Sequence, residues 1–454
     1  MKMIQKLLIA NRGEIAVRII RACRELNIAT VAVYSNVDKD SLHVMLADEA
    51  VCIGDHRLAN SYLNQEAILQ AAINTQAQAI HPGFGFLSER EDFVEKCEKL
   101  GIKFVGPKSH HIAVMGDKVS ARQTMEKAGM PVVPGSKGLV SNFKDAKKLS
   151  EKLGFPLMIK ATAGGGGKGM RIAFDADHFE EMYNQARLEG KAAFNNDAVY
   201  IERFVEDPRH IEVQVIGDQY GNVCHVFERE CSVQRNNQKM IEEAPVQNLS
   251  ESTRQRLFDV SIAAANAIAY ESCGTFEFIM DKEENFYFIE MNTRIQVEHP
   301  VSEMISGIDL IKEQIRIAEG RPLSFVQSDL RAQGHAIELR INAENPSKNF
   351  MPSAGLIKSV HMPGGNGVRI DTFVYSGYSI LPFYDSMIAK VIVHAPTRDE
   401  AMEKAIRCLE EIDIEGLETN IEFQLEILLS EAFQDNRYTT ALVSNLLKEG
   451  VLDV

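Results

Sequence analysis

Residues 274–300 read GTFEFIMDKEENFYFIEMNTRIQVEHP. Two strongly β-forming runs, carrying Phe276, Phe278, Phe286 and Phe288, flank the polar DKEEN, so the segment reads as a hairpin. A two-residue loop at Glu283–Glu284 sets Glu277 directly opposite Glu290. Opposed Cβ atoms lie ~4.5–5.5 Å apart, where like charges destabilise the pair unless a cation sits between them. A divalent cation meets that need. Because Mg²⁺ takes one or two carboxylates together with phosphate oxygens, the hairpin reads as half of a metal–nucleotide site. The phenylalanines around both carboxylates argue against a merely exposed acidic hairpin. The same parity continues through Asn292, Arg294, Gln296 and Glu298, so an extended strand here lines one wall with a ligand, a cation, an amide and a base. The planar fork of Arg294 suits an oxyanion such as bicarbonate or phosphate, and Glu298 is placed to take its proton.

Upstream, the first hundred residues alternate β-rich runs (LLIAN, TVAVYS, AVCIG, QAIHPG, KFVGP) with helical patterns, among them Ile15, Ile19, Cys23 and Leu26. Strands separated by helices mean a parallel, doubly wound sheet. Its first turn reads ANRGEIA, so the GxGxxG dinucleotide fingerprint is missing where it should open the first helix. HPGFGFLSE reads as a tight loop at a strand's C-terminal end, where such folds place ligands. Past Gly154 a glycine run, Gly164 to Gly167 and Gly169, sits between two strands. Lys168 is followed by Gly169 and no helix opens there, so the run is not a Walker A loop; it reads as a hairpin tip whose N–H groups close over phosphates. From about 199 to 300 the pattern is an antiparallel sheet, with His210, Glu212 and Gln214 on one parity of RHIEVQVIG. Near 330 to 450 comes another sheet-like stretch (HAIELRINAE, SMIAKVIVH), then a helix opened by Thr397 and Glu400 at capping-box spacing.

With 454 residues, 45% hydrophobic and 25% charged, the chain is a multi-domain globular protein. A net charge of −15 without a basic stripe argues against nucleic-acid binding. The seven cysteines lack CxxC spacing and read as reduced thiols of a cytoplasmic protein. No run approaches the roughly 18 apolar residues of a membrane span.

The motifs IANRGEIAVRIIRAC, HPGFGFLSE, MGDKVSAR, MIKATAGGGGKGMRI, RHIEVQV, FIEMNTRIQVEHPVSEMI, HAIELRINAE and FYDSMIAKVIV together resemble the ATP-grasp superfamily and, within it, biotin carboxylase, over nearly the whole chain. The resemblance implies an α/β plus α+β protein with an N-terminal doubly wound domain (1–112), an ATP-grasp core (113–330) with a glycine-rich lid at about 131–204, and a C-terminal α+β domain (331–450). It implies ATP-dependent carboxylation of biotin through carboxyphosphate, with Mg²⁺ or Mn²⁺. Lys118 and Lys160 would reach the phosphates, Gly166 and Gly167 close as a lid, Glu202, Arg203, Phe204 and Val205 form the adenine-side hinge, and His210 and Gln234 contact the nucleotide. Glu277, Glu290 and Asn292 would bind the metal. Lys239, Arg294, Gln296 and Val297 would hold bicarbonate, Glu298 act as base, and Arg340 face the biotin ureido oxygen. Taken alone, Lys239 reads as a solvated lysine beside Glu242 and Glu243.

The family usually shows QRRHQK where this chain has QRNNQK, so Asn237 stands at a nucleotide-contacting position with a shorter amide; Asn236 removes an arginine that could pair with Glu230. With no AMKM-type site, biotin is expected on a separate biotin carboxyl carrier protein, with carboxyltransferase subunits as further partners and a homodimer as the assembly. Acetyl-CoA carboxylase of fatty acid synthesis is the expected setting; a pyruvate or propionyl-CoA type carboxylase is the alternative. A nucleotide-binding regulatory protein without turnover is the rival from another class, and the intact acids and arginines argue against it.

Overall fold

Five short runs at the start of the chain pair as their alternation with helices predicts. β1 (Lys6–Ile9), β2 (Ala29–Ser35), β3 (Glu49–Gly54), β4 (Ala79–His81) and β5 (Lys103–Phe104) form a sheet in the order β3-β2-β1-β4-β5. Every neighbouring pair is parallel, and the order reverses beside β1, which makes the sheet doubly wound. Leu8, Val31 and Ile80 are buried on one face and Leu7, Ile9 and Ala79 on the other, so these strands read as continuous apolar runs. The helix Gly13–Glu25 buries its Ile15, Ile19 and Cys23 stripe, as 3.6-residue spacing requires.

The computed structural model describes residues 3–161, 170–194 and 197–450. The chain divides into a larger unit (Met1–Met130, Arg209–Phe278, Ile289–Val454) and a smaller one (Pro131–Pro208 with Ile279–Phe288). In the smaller unit β6 (Leu157–Ala161), β7 (Met170–Ala173) and β8 (Val199–Arg203) form an antiparallel sheet, β7-β6-β8. Phe179 and Tyr183 of the helix Ala176–Phe194 are buried against Ile159 and Ile201. β8 therefore belongs here and not to the sheet that follows it. The glycine run between β6 and β7, including Gly166 and Gly167, lies outside the described residues.

The larger unit is built on an eight-stranded sheet of β9 (Arg209–Gly217), β10 (Val223–Arg235), β11 (Gln238–Ala244), β12 (Ser272–Met280), β13 (Phe286–Asn292), β14 (His335–Asn342), β15 (Val368–Thr372) and β16 (Met387–Ala395). Its order is β13-β12-β9-β10-β11-β14-β16-β15. The C-terminal strands, expected as a sheet of their own, extend this one instead: Glu242 pairs with Glu338 across β11–β14, and Arg340 with Lys390 across β14–β16. A strand's pattern reports which faces are buried and not which strand lies beside it; the free edge of β11 supplied the template.

Two expectations about the deciding hairpin are corrected. Asp281 N–H donates to Asn285 O (2.9 Å) and Glu284 N–H to Asp281 O (3.1 Å), so Lys282–Glu284 form a three-residue loop, with Glu284 at φ 61°. The Asp281 carboxylate accepts from Glu283 N (3.1 Å) and Asn285 N (2.8 Å), which favours the longer loop and shifts the register at the turn by one residue. The strand also ends at Asn292. Residues 293–298 are irregular, and the helix His299–Ser306 follows with Pro300 in its first turn.

Candidate active site

Lys239, on β11, is the hub. Its Nζ lies 2.7 Å from Glu298 Oε1 and 3.3 Å from Glu277 Oε1, and it donates to Glu212. The side chain is only 13% exposed, which removes the solvated-lysine reading. Burial alone would depress its pKa, but the three carboxylates raise it well above the ordinary value, so the ammonium is fixed. Arg340, on β14, closes the other side: Nη2 lies 3.0 Å from Glu298 Oε2 and Nε donates to Glu242 Oε1 at 2.6 Å. Both oxygens of Glu298 are thus held by cations. Burial raises this carboxyl's pKa, yet Lys239 and Arg340 outweigh burial and the nearby Glu212, so the pKa falls below the usual range. Glu298 also occupies the N-cap position of the helix His299–Ser306, where the helix dipole favours negative charge. An ionised, acceptor-only carboxylate results, the state a general base needs.

The polar parity of β9 faces this hub. His210 Nε2 lies 3.1 Å from Glu277 Oε2 and 3.2 Å from Glu212 Oε1, and its Nδ1 lies 2.8 Å from the Gln234 amide. Burial disfavours its charge, but the two carboxylates outweigh that and raise the imidazole to about 9. Glu277 also accepts from Asn292 (2.6 Å) and Gln296 (2.6 Å). Despite burial, Lys239 and His210 hold it well below the usual carboxylate range. Glu290 behaves oppositely: burial and the charge of Glu277 raise its pKa, with Lys118 partly opposing. Arg294 donates to Asn292 Oδ1 (2.7 Å) and to Glu89 Oε2 (2.9 Å).

These groups fit a divalent cation at Glu277, Glu290 and Asn292. Glu290 is the carboxylate whose charge Lys118 and Lys239 offset only in part, and a cation beside it would relieve its repulsion from Glu277. Two tighter groupings of potential ligands, His210–Glu212–Glu277 and Glu212–Cys231–Glu298, occur among the described residues. Lys239 pairs with a member of each, so both read as parts of the ion-pair network.

In the smaller unit Lys160 pairs with Glu202 across β6–β8. Arg203 N–H donates to Pro134 O (2.8 Å) and Phe204 N–H to Pro156 O (2.9 Å), which fixes the chain entering the half-buried Val205. In the larger unit Lys118 opens the helix Lys118–Lys127 behind the cap of Asp117. Asn236 and Asn237 form the two-residue turn between β10 and β11, closed by Arg235 and Gln238, at φ 52° and 63°. Asparagine suits this left-handed turn, and that is a local reason for both residues. Glu230 is buried against Arg209 and Ser232, so the absent arginine at 236 costs it no partner.

Sequence reading missed four contributors. Glu212 holds Lys239 and had signalled itself only through its parity with His210. Arg229, fully buried, donates to Glu212 (3.0 Å) and Gln214 (2.7 Å) and orients Gln296 through Oε1, turning the amide nitrogen of Gln296 toward Glu277. Glu242 holds Arg340. Glu89, at the end of HPGFGFLSE, accepts from Thr293 N (3.0 Å) and Arg294, so that loop braces the irregular run.

Residues 3–112 match the biotin carboxylase N-terminal domain, 117–326 the ATP-binding domain of the carbamoyl-phosphate synthase L chain, and 338–445 the biotin carboxylase C-terminal domain. The chain is 55% identical to biotin carboxylase 1 of Bacillus subtilis, over 96% of this chain and 98% of that one, and 53% identical to biotin carboxylase of Haemophilus influenzae, over 95% and 96%. Among solved structures it superposes on the biotin carboxylase domain of Hydrogenobacter thermophilus 2-oxoglutarate carboxylase, crystallised as a dimer with MgADP, ADP and bicarbonate. That match has a TM-score of 0.91 at 46% identity and covers 100% of each chain. The biotin carboxylase subunit of a pyruvate carboxylase matches with a TM-score of 0.89 at 48% identity, over 98% and 99%. With all three regions matched and more than half the residues shared with a full-length relative, the chain belongs to the biotin carboxylases, ATP-dependent ligases built on the ATP-grasp fold.

Proposed function

We propose that this chain carboxylates biotin on a separate carrier protein as the first half-reaction of acetyl-CoA carboxylase, in the cytoplasm and as a homodimer. The observation that carries the chemical reading is the clamp of Lys239 and Arg340 on the two oxygens of Glu298. Glu298 takes the bicarbonate proton while Lys239, Arg294, Gln296 and the Val297 backbone hold the anion. The oxygen so activated attacks the terminal phosphorus of ATP, and ADP leaves. Lys118, Lys160, His210 and Gln234 hold the nucleotide, the chain from Glu202 to Val205 borders the adenine, and Asn237 adds one neutral contact. Glu277, Glu290 and Asn292 would hold a Mg²⁺ or Mn²⁺ ion, which would supply charge neutralisation on the phosphates. Carboxyphosphate is labile in water, so the site must exclude solvent while it is present. Carboxyphosphate breaks down in the site to carbon dioxide and phosphate, the released phosphate takes the biotin N1′ proton, and the biotin anion, its oxygen stabilised by Arg340, attacks carbon dioxide to give N1′-carboxybiotin.

ATP hydrolysis measured with and without bicarbonate and free biotin tests this. Bicarbonate-dependent ADP release, increased by biotin, is the expected result; hydrolysis indifferent to both overturns it. The relatives from 2-oxoglutarate and pyruvate carboxylases support the alternative that a different carboxyltransferase receives the product. The acyl acceptor carboxylated by the co-purified partner subunits decides between them. Sedimentation of only monomer at micromolar concentration would remove the homodimer.

A further inference from the structure

Beneath Glu298 lies a charge that the catalytic set does not use. Lys390, on β16, is fully buried. Its Nζ lies 2.8 Å from the carbonyl oxygen of Val297, 3.1 Å from Glu14 Oε1 and 4.0 Å from Asp371 Oδ2. Burying an ammonium is unfavourable unless its charge and protons are met, and here two carboxylates and a carbonyl meet them. The carboxylates come from different elements, Glu14 from the helix Gly13–Glu25 and Asp371 from β15, so the ammonium is fixed from two sides. Val297 lies in the irregular run after β13, where its carbonyl accepts from this lysine rather than from a neighbouring strand.

Val297 C=O and Glu298 N–H belong to one peptide plane. Arg340 is the cross-strand neighbour of Lys390. One strand pair therefore presents a guanidinium to the Glu298 carboxylate and an ammonium to the peptide that carries it. We propose that Lys390 is a positioning residue that pins the Val297–Glu298 peptide and so sets the angle at which Glu298 and Gln296 meet bicarbonate. The inference rests on the bicarbonate reading above. Small misplacements of a reacting pair are costly in rate, so the hydrogen bond matters beyond its own strength.

The test begins with wild-type enzyme, whose bicarbonate-dependent turnover stands or falls with that reading alone. Given such turnover, the double variant Lys390→Met/Glu14→Gln removes the donor together with its nearest carboxylate, while Asp371 keeps Arg369 at 2.7 Å. We expect its bicarbonate KM to rise about tenfold or more while MgATP affinity stays within about threefold, and Glu14→Gln alone to leave both within about twofold. Lys390→Gln/Glu14→Gln, which restores a neutral but shorter donor, should fall between. A folded double variant with bicarbonate KM within about twofold of wild type overturns the inference, and so does a parallel loss of nucleotide affinity. If neither double variant folds although Glu14→Gln does, Lys390 serves stability and the inference fails.

Discussion

Replacing Arg340 with alanine removes the cation shared by Glu242 and Glu298, whose side chains are 0% and 3% exposed. Taking one partner from a buried ion pair costs about 3–5 kcal/mol, because the remaining charge is stranded. Here the two carboxylates differ. Glu298 keeps Lys239 and stays ionised. Burial already raises Glu242 to about 7 even with Arg340 pulling it down, so without Arg340 it rises further and is protonated at neutral pH. A carboxyl with a raised folded pKa contributes stability below its unfolded value, and that contribution is lost as pH rises through the folded pKa. The destabilisation by Arg340→Ala should therefore be smaller at pH 6 than at pH 8.5, by about 1.4 kcal/mol for each unit through which Glu242 titrates. Glu242→Gln in the same background should abolish the difference, giving a coupling energy of about 1.5–3 kcal/mol in the double-mutant cycle. The chain has no tryptophan, so urea unfolding followed by far-UV circular dichroism is the assay. A pH-independent loss, or additivity within about 0.5 kcal/mol, would refute the shared-cation account. Because Glu298 retains Lys239, the variant should keep some bicarbonate-dependent ATP hydrolysis while losing biotin carboxylation; equal loss of both would move Arg340 to the first half-reaction.

Glu290→Gln should bind nucleotide but lose turnover, since a neutral amide cannot balance the metal as a carboxylate does; wild-type kcat at saturating Mg²⁺ would sink the metal assignment. Asn237→His should tighten ATP binding by less than about tenfold. Because residue 237 sits at φ 63°, the same change should also lower stability, by about 1 kcal/mol, and abolished activity would show that this turn is not placed over the nucleotide. Nucleotide should slow hydrogen exchange in β6 and β7, and unchanged exchange there would argue against a closing lid. Glu243 accepts from His335 (2.7 Å) and Arg398 (2.8 Å), and these partners hold its carboxyl down to about 2 against burial. Its contribution is present above its unfolded pKa and lost as pH falls toward 2. Glu243→Gln should therefore cost about 3–5 kcal/mol at pH 7 and progressively less in acid, which thermal melts across pH would reveal.

The doubly wound sheet was legible because its strands are buried on both faces, and Leu7, Leu8 and Ile9 show that without long-range information. The acids of the site were legible because Glu277 interrupts an aromatic strand where a charge has no local reason to be. Registers were not. The Asp281 side chain chose the loop length at the hairpin, and no strand period reports a side-chain cap. Glu242, Arg229 and Lys390 escaped because each acts through a partner far along the chain, as Arg229 does on Gln296. A buried charge in a strand looks, in one dimension, like an ordinary polar residue on an exposed face.

The continuation of the eight-stranded sheet through β14 to β15 has an evolutionary consequence. The strands that supply Arg340 and Lys390 are hydrogen-bonded to the strand that supplies Lys239, so catalysis and the C-terminal region are inherited as one block. A chimera that exchanged residues beyond about 330 between relatives would have to match the β11 edge residue by residue. One that exchanged Pro131–Pro208, which leaves and rejoins the larger unit at Met130 and Arg209, would exchange no strand of this sheet. Recombination among relatives should therefore be tolerated at those two seams and selected against in the segment from Ala336 to Ala395.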